Sequence, residues 1–88
     1  MDLIRQAYFG DLAEVKRLIQ QGIHVNTTNH HNQTALYFAC ENGRTEVAKY
    51  LLDSGASVNL GENPLITAIA NNHYDCVKSL LQNNADVN

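Results

Sequence analysis

The 88-residue sequence has no tryptophan, one proline, two cysteines and only six lysine and arginine residues. The basic residues are scattered, and the net charge is -3 at pH 7. We therefore expect no nucleic-acid ligand, because nucleic-acid binding usually needs a basic stripe. No apolar run approaches the roughly 20 residues that cross a bilayer. The start of the chain also lacks the basic and apolar blocks of a secretory signal, so we expect no membrane partner.

The two cysteines, Cys40 and Cys76, both fall at apolar positions of predicted helices. Buried thiols at such positions behave as small apolar side chains and persist in reducing compartments. We therefore expect both cysteines to be structural and reduced. This predicts a cytoplasmic or nuclear protein.

The sequence contains a strong internal repeat. A shift of 33 residues places Gly43 on Gly10 and Gly55 on Gly22, and a shift of 29 places residues 80–88 on 51–59. Glycine readily adopts the left-handed conformation that ends a helix. Self-similarity at this period is typical of stacked repeats. The sequence therefore predicts three copies of a helix–turn–helix unit.

Four segments carry a family resemblance. Residues 34–39 and 63–68 are similar to the motif Thr-Pro-Leu-His-x-Ala, and residues 51–59 and 80–88 are similar to Leu-Leu followed by Gly-Ala-Asp-Val-Asn. With a Gly between the two parts, this pattern resembles the ankyrin repeat, although no His stands at the motif's fourth position. The resemblance implies an all-α solenoid of helix–turn–helix units joined by short β-hairpin loops.

The copies divide the chain into one ankyrin-like domain, residues 1–88. Residues 1–26 form an N-terminal capping repeat, 27–59 a full repeat, and 60–88 a repeat with a shortened hairpin whose tip is Gly61. The last copy keeps the apolar pattern of an interior repeat. We therefore expect the stack to continue beyond residue 88, in a longer protein of which this is the N-terminal part.

In the first copy, Gln6 and Glu14 replace Ala39 and Val47 of the middle copy. Such polar replacements are typical of a terminal repeat with a solvated outer face. The predicted core of the two other copies consists of apolar residues at helical spacing. These are Leu36, Ala39, Cys40, Val47, Ala48, Leu51 and Leu52, and then Leu65, Ala68, Ile69, Cys76, Val77, Leu80 and Leu81.

Residues with capping chemistry precede three predicted helices. Asp11 and Glu14 have the spacing of a capping box. Thr34 is placed to cap the next helix. Asn63 followed by Pro64 is the favoured order at a helix start.

The resemblance implies that a protein partner binds the concave face, which consists of the first helix of each repeat and the hairpin tips. The positions carried over are Arg5, Tyr8, Phe9, Leu12, His30, His31, Gln33, Phe38, Glu41, Asn42, Thr45, Glu62, Thr67, Ala70, Asn71 and Tyr74. Tyr8 and Phe9 are the expected hot spots because aromatic residues often anchor interfaces. The alternative for both is packing within the capping repeat. Glu41 and Glu62 favour a partner segment with Lys or Arg, the alternative being two solvated charges.

The other candidate sites are weak. His30 and His31 suggest zinc, but adjacent residues of a strand point apart and no cysteine lies near, so we expect no metal. No nucleophile–base pair and no glycine-rich phosphate loop is present, so we expect neither an enzyme nor a cofactor. The resemblance adds a possible modification, hydroxylation of the asparagine that closes each Val-Asn pair. Those residues are Asn26, Asn59 and Asn88.

These observations predict a non-enzymatic module that binds a protein or peptide in a scaffolding or regulatory role. The alternative is the regulatory or targeting domain of a larger enzyme (a kinase, ligase or transferase) whose catalytic part lies outside this chain. A third hypothesis makes the repeats spacers with no ligand of their own. We expect a monomer, unless the exposed face of the last repeat associates.

Overall fold

The structure is a computed structural model that describes residues 2–83, and these residues form six α-helices. The helices are α1 Leu3–Phe9, α2 Leu12–Gln20, α3 Ala35–Glu41, α4 Thr45–Asp53, α5 Pro64–Ala70 and α6 Tyr74–Gln82. Each pair consists of a seven-residue and a nine-residue helix. The helices α1, α3 and α5 pack side by side in one layer, and α2, α4 and α6 form a second layer. The predicted all-α repeat is confirmed.

The predicted caps are present at the helix starts. The side chains of Asp11, Thr34 and Asn63 each accept a hydrogen bond from a backbone N–H in the first turn. The capping box at Asp11 is only half formed, and that part of the prediction is wrong. The Glu14 carboxylate pairs instead with the Arg17 guanidinium, one turn further along the same helix.

The turn between the two helices of each repeat contains a residue in the left-handed conformation. Gly10, Gly43 and Asn72 have φ values of 77°, 68° and 62°. A Cβ atom on Gly43 would stand 2.6 Å from the His73 Nδ1 atom of the following repeat. The glycine therefore serves both the helix end and the close approach of the next repeat.

The predicted hairpin over residues 27–33 contains no strand. It has one isolated antiparallel bridge, between Thr28 and Thr34, and the Asn29 N–H donates to the Gln33 carbonyl at 3.1 Å. Asn32 has φ 62°, the conformation expected where a turn glycine is usual. The loop is therefore a tight turn with a single bridge, because its short arms leave little length for a ladder.

The shortened turn before α5 packs directly on this loop. Gly61 has φ 70°, and the Glu62 N–H donates to the Asn32 carbonyl at 3.0 Å. A Cβ atom on Gly61 would lie 2.3 Å from the same carbonyl oxygen. The close contact between the two turns therefore requires glycine at position 61.

The hydrophobic core agrees with the prediction in the middle repeat and differs in the third. All seven predicted core residues of residues 34–59 are buried. In the third repeat, Ile69 is 52% exposed and Leu81 is 49% exposed, so their assignment to the core is wrong. Their counterparts Cys40 and Leu52 are buried because the third repeat covers them. Within residues 2–83 no repeat covers Ile69 and Leu81.

Gln6 was expected on a solvated outer face, and the structure places it in the interior at 7% exposure. The helix α1 packs against both α2 and α3. This position is therefore internal even though no repeat precedes α1 in the described residues.

Cys40 and Cys76 are both fully buried free thiols, as predicted. The Thr45 hydroxyl lies 3.4 Å from the Cys76 Sγ atom. The pKa of the Cys40 thiol is raised by its interaction with the Cys76 thiol and by burial. Cys40 is therefore a neutral packing residue at neutral pH.

Within residues 2–83 no helix has the length and apolar character needed to cross a membrane; the longest have nine residues.

Candidate functional site: the concave face

The helices α1, α3 and α5, which we call the inner layer, form the predicted concave face together with the turns at residues 27–33 and 60–63. They carry most of the residues that the resemblance assigns to binding, and α2, α4 and α6 form the outer layer. Arg5, Tyr8 and Phe9 are exposed on α1, whose N-terminal turn is capped by the Asp2 carboxylate. Tyr8 is 43% exposed and Phe9 is 58% exposed. Packing within the capping repeat therefore leaves a large part of both rings open to a partner.

These rings belong to an aromatic patch that crosses from α1 to α3, which we define as Tyr8, Phe9 and Phe38. The Tyr8 ring meets the Phe9 ring edge to face at 5.2 Å and lies 6.0 Å from the Phe38 ring, measured between centroids. Phe38 in turn packs edge to face on Tyr37 at 5.2 Å. Such edge contacts favour one ring arrangement and hold the patch in place.

A shallow groove of about 260 Å³ lies beside the aromatic patch. It is lined by Asp2, Ile4, Arg5, Tyr8, Phe9, Asn29 and Phe38. Arg5 is exposed at its rim and forms no ion pair within residues 2–83. The groove therefore offers an apolar surface with one cation beside it.

A second groove of about 360 Å³ lies between the middle and third repeats, and we call it the inter-repeat groove. It is lined by Tyr37, Glu62, Asn63, Ile66, Thr67 and Ala70. The Tyr37 hydroxyl donates to the Glu41 carboxylate at 3.2 Å. Burial, together with the nearby carboxylates of Glu41 and Glu62, raises the pKa of the Tyr37 phenol. The phenol therefore stays a hydrogen-bond donor at neutral pH.

Two predicted binding asparagines are partly engaged within their own helices. The Asn42 amide donates to the Phe38 carbonyl at 2.9 Å, and the Asn71 amide donates to the Thr67 carbonyl at 2.8 Å. Each amide is a second donor to a carbonyl that already accepts from the backbone N–H of the same asparagine. The amide oxygens are the groups that these residues offer to a partner.

Three predicted positions lie away from the inner-layer helices. Thr45 turns inward to Cys76, and Tyr74 is exposed at the first residue of the outer helix α6, where its hydroxyl donates to Asn72 at 3.0 Å. Leu12 begins α2 and is half-buried against the core.

The loop histidines are exposed, and their rings lie together instead of pointing apart. The centroids of His30 and His31 are 4.2 Å apart and the rings are tilted. Gln33 is half-buried and accepts a hydrogen bond from the Asn29 amide at 3.0 Å. In the described part of the chain no group of three or more His, Cys, Asp or Glu residues is arranged to hold a metal ion.

The candidate hydroxylation sites differ in their surroundings. The Asn26 side chain accepts from the Ser57 N–H at 2.8 Å and donates to the Gly55 carbonyl at 3.4 Å, and so ties the first repeat to the second. Asn59 is exposed. Asn88 lies outside the described residues.

Sequence reasoning missed two residues of this face. The Asn29 Oδ1 atom accepts from the backbone N–H groups of His31 and Gln33 and so shapes the loop. Ile66 lies in the inter-repeat groove and is 66% exposed. The role of Asn29 could have been predicted, because an asparagine side chain in a turn often accepts a hydrogen bond from the backbone N–H two residues further on. The exposure of Ile66 could not have been predicted, because it depends on whether another repeat covers this residue.

Comparison with known proteins identifies the fold family. A model of ankyrin repeats in three copies matches residues 3–88. The chain belongs to the ankyrin repeat family. Ankyrin repeats are a non-catalytic, protein-interaction fold. The crystal structure of the human ASB11 ankyrin repeat domain superposes with a TM-score of 0.91 at 36% identity, over 98% of this chain and 41% of that one.

Among sequence relatives, palmitoyltransferase Hip14 of Drosophila melanogaster is 30% identical over 90 residues. The palmitoyltransferase ZDHHC13 of Mus musculus is also 30% identical over 90 residues. Each alignment covers 97% of this ankyrin chain but only 14% of the relative. Ankyrin repeat domain-containing protein 40 of Homo sapiens is 39% identical over 64 residues, which are 67% of this chain and 17% of that protein. The chain therefore spans less than a fifth of these relatives.

Proposed function

We propose that this ankyrin chain is a non-enzymatic module that binds a protein or peptide on its concave face, in a scaffolding or regulatory role. The observation that carries the proposal is the exposure of the aromatic patch. Tyr8 and Phe9 hold large apolar surfaces in water on a capped helix. Exposed aromatic residues on a rigid element are typical anchors of protein interfaces.

The arrangement of the patch supports a preformed site. Tyr8 and Phe38 belong to different repeats, and their rings are already in contact before any partner binds. A partner would then lose little free energy in ordering these side chains. A peptide anchored on the patch can extend along the adjoining groove, which has Arg5 at its rim.

A pull-down from cell extract tests the proposal. The bait variant Tyr8→Ala/Phe9→Ala removes two rings of the patch, and Leu81→Ala is the matched control because it removes an equally exposed apolar side chain from the outer layer. Circular dichroism first shows that all three baits are folded. We expect the wild type and the control to retain the same proteins and the double variant to lose them. Equal retention by all three baits would contradict the proposed site.

The relatives favour a second candidate, in which the repeats are the regulatory or targeting domain of a larger enzyme. Two of them are palmitoyltransferases that are about seven times as long as the matched region. The full coding sequence and the mass of the native polypeptide separate the two candidates. A catalytic domain in the same polypeptide would support the second, and its absence would leave the independent module.

The proposed module acts in the cytoplasm or nucleus, with no nucleic-acid or membrane partner. We expect a monomer unless the exposed face of the last repeat, which includes Ile69 and Leu81, associates. Sedimentation at increasing concentration tests the oligomeric state. Microscopy of the tagged native protein tests its location.

A further inference from the structure

The inter-repeat groove is lined by Glu62, and Glu41 lies beside it at the Tyr37 hydroxyl; neither carboxylate has a cationic partner in the described chain. The Tyr37 hydroxyl donates to Glu41 of α3, and Glu62, in the turn before α5, lines the same groove as Tyr37. Within residues 2–83 the ion pairs are Glu14 with Arg17 and Glu46 with Lys49, both on outer helices. The fold therefore leaves two negative charges of the concave face without internal compensation.

The floor of the same groove is apolar. The side chain of Ile66 is 66% exposed there, and Ala70 is exposed one turn further along α5. Lysine and arginine have an apolar stem that packs on such a surface and a cationic head that stays near polar groups. The groove thus offers a complementary surface to each part of a basic side chain.

Tyr37 fixes the acidic end of the groove. Its hydroxyl donates to one Glu41 oxygen, and an ionised carboxylate can accept about four hydrogen bonds in all. The remaining acceptor sites of Glu41 and those of Glu62 are therefore available to a guanidinium or ammonium group. Charge-assisted hydrogen bonds of this kind are about twice as strong as neutral ones.

We propose that the inter-repeat groove selects a lysine or arginine side chain of the partner protein, with its head between Glu41 and Glu62 and its stem on Ile66. This inference rests on the proposed function and specifies the partner. The groove adjoins the aromatic patch through the Tyr37–Phe38 contact, so one peptide can reach both.

The spacing of the two sites predicts the form of the peptide. Tyr8 and Phe9 lie on α1, and the proposed site of the basic head lies between Glu41 of α3 and the turn before α5, one to two helix spacings away, which is about 8–20 Å. An extended chain covers about 3.3 Å per residue. The partner should therefore carry an apolar anchor about three to six residues from its basic residue.

Selection from a phage library of random 12-residue peptides on the 88-residue chain tests the inference. We expect the retained peptides to share a Lys or Arg at this distance from an apolar residue. Changing that residue to Gln in a synthetic peptide should weaken binding about tenfold or more, as for loss of a charge-assisted hydrogen bond. The protein variant Glu41→Gln/Glu62→Gln should show the same loss of affinity for the unchanged peptide. When the changed peptide is combined with this protein variant, the loss should be little more than for either change alone.

The control variant is Glu46→Gln, which removes an exposed carboxylate from the outer helix α4 and should leave binding unchanged. Circular dichroism checks that the variants are folded. Retained peptides that carry no common basic residue, or that bind the double variant as tightly as the wild type, would overturn the groove assignment and leave the proposed function standing. Failure to retain any peptide above background would contradict both.

Discussion

At the scale of single residues, the Asn26 side chain links two repeats through its bonds to Ser57 and Gly55. In Asn26→Ala, the half-buried Ser57 N–H loses its acceptor, so we expect the free energy of unfolding to fall by about 1–2 kcal/mol. Gln20→Ala is the matched control at an exposed helical position, and it should change stability by less than about 0.5 kcal/mol. Urea denaturation measures both. Equal stability of the two variants would show that the inter-repeat bonds contribute nothing.

A pair of glycines separates backbone strain from packing. Gly55 and Gly61 both have positive φ, but a Cβ on Gly55 would meet no atom within 4 Å, whereas a Cβ on Gly61 would meet the Asn32 carbonyl. Gly55→Ala should therefore cost about 1–2 kcal/mol of strain. Gly61→Ala should cost at least about 1 kcal/mol more, because the two turns must separate. Thermal denaturation of both variants gives the comparison, and equal melting temperatures would refute the close contact.

At the scale of the helices, the effect of losing a leucine depends on the repeat that covers it. Leu52 and Leu81 occupy the same column of successive repeats, but Leu52 is buried under the third repeat and Leu81 is half exposed. Leu52→Ala should lower the free energy of unfolding by about 2 kcal/mol or more, and Leu81→Ala by less than about 1 kcal/mol. Chemical denaturation tests this difference. Similar losses would mean that Leu81 is covered in solution.

The same dependence explains which parts of the fold were predictable. Caps and turns such as Asp11, Thr34 and Gly43 were predicted because their chemistry acts on the neighbouring backbone. The burial of Gln6 and the exposure of Ile69 were not, because both depend on contacts between helices distant in sequence. The sequence pattern marks an apolar column but does not show whether another repeat lies against it.

At the scale of the whole molecule, the outline of the candidate site came from the resemblance to ankyrin repeats. The resemblance implied that the aromatics and the two glutamates lie on one face, and the structure adds the grooves beside them. The Tyr8–Phe38 contact and the role of Tyr37 depend on how two repeats pack, which one sequence does not specify. The site is thus a property of the stack, since each groove takes residues from two adjacent repeats.

The measurement that tests the concave-face site most directly is an NMR titration of the isotope-labelled 88-residue chain with a peptide retained in the selection. Backbone amide shifts should change along α1, α3 and α5 and in the turns around Asn32 and Gly61, with the largest changes near Tyr8 and Phe9. Amides of α2, α4 and α6 facing away from these turns should change little. Changes confined to the outer helices would contradict the concave-face site.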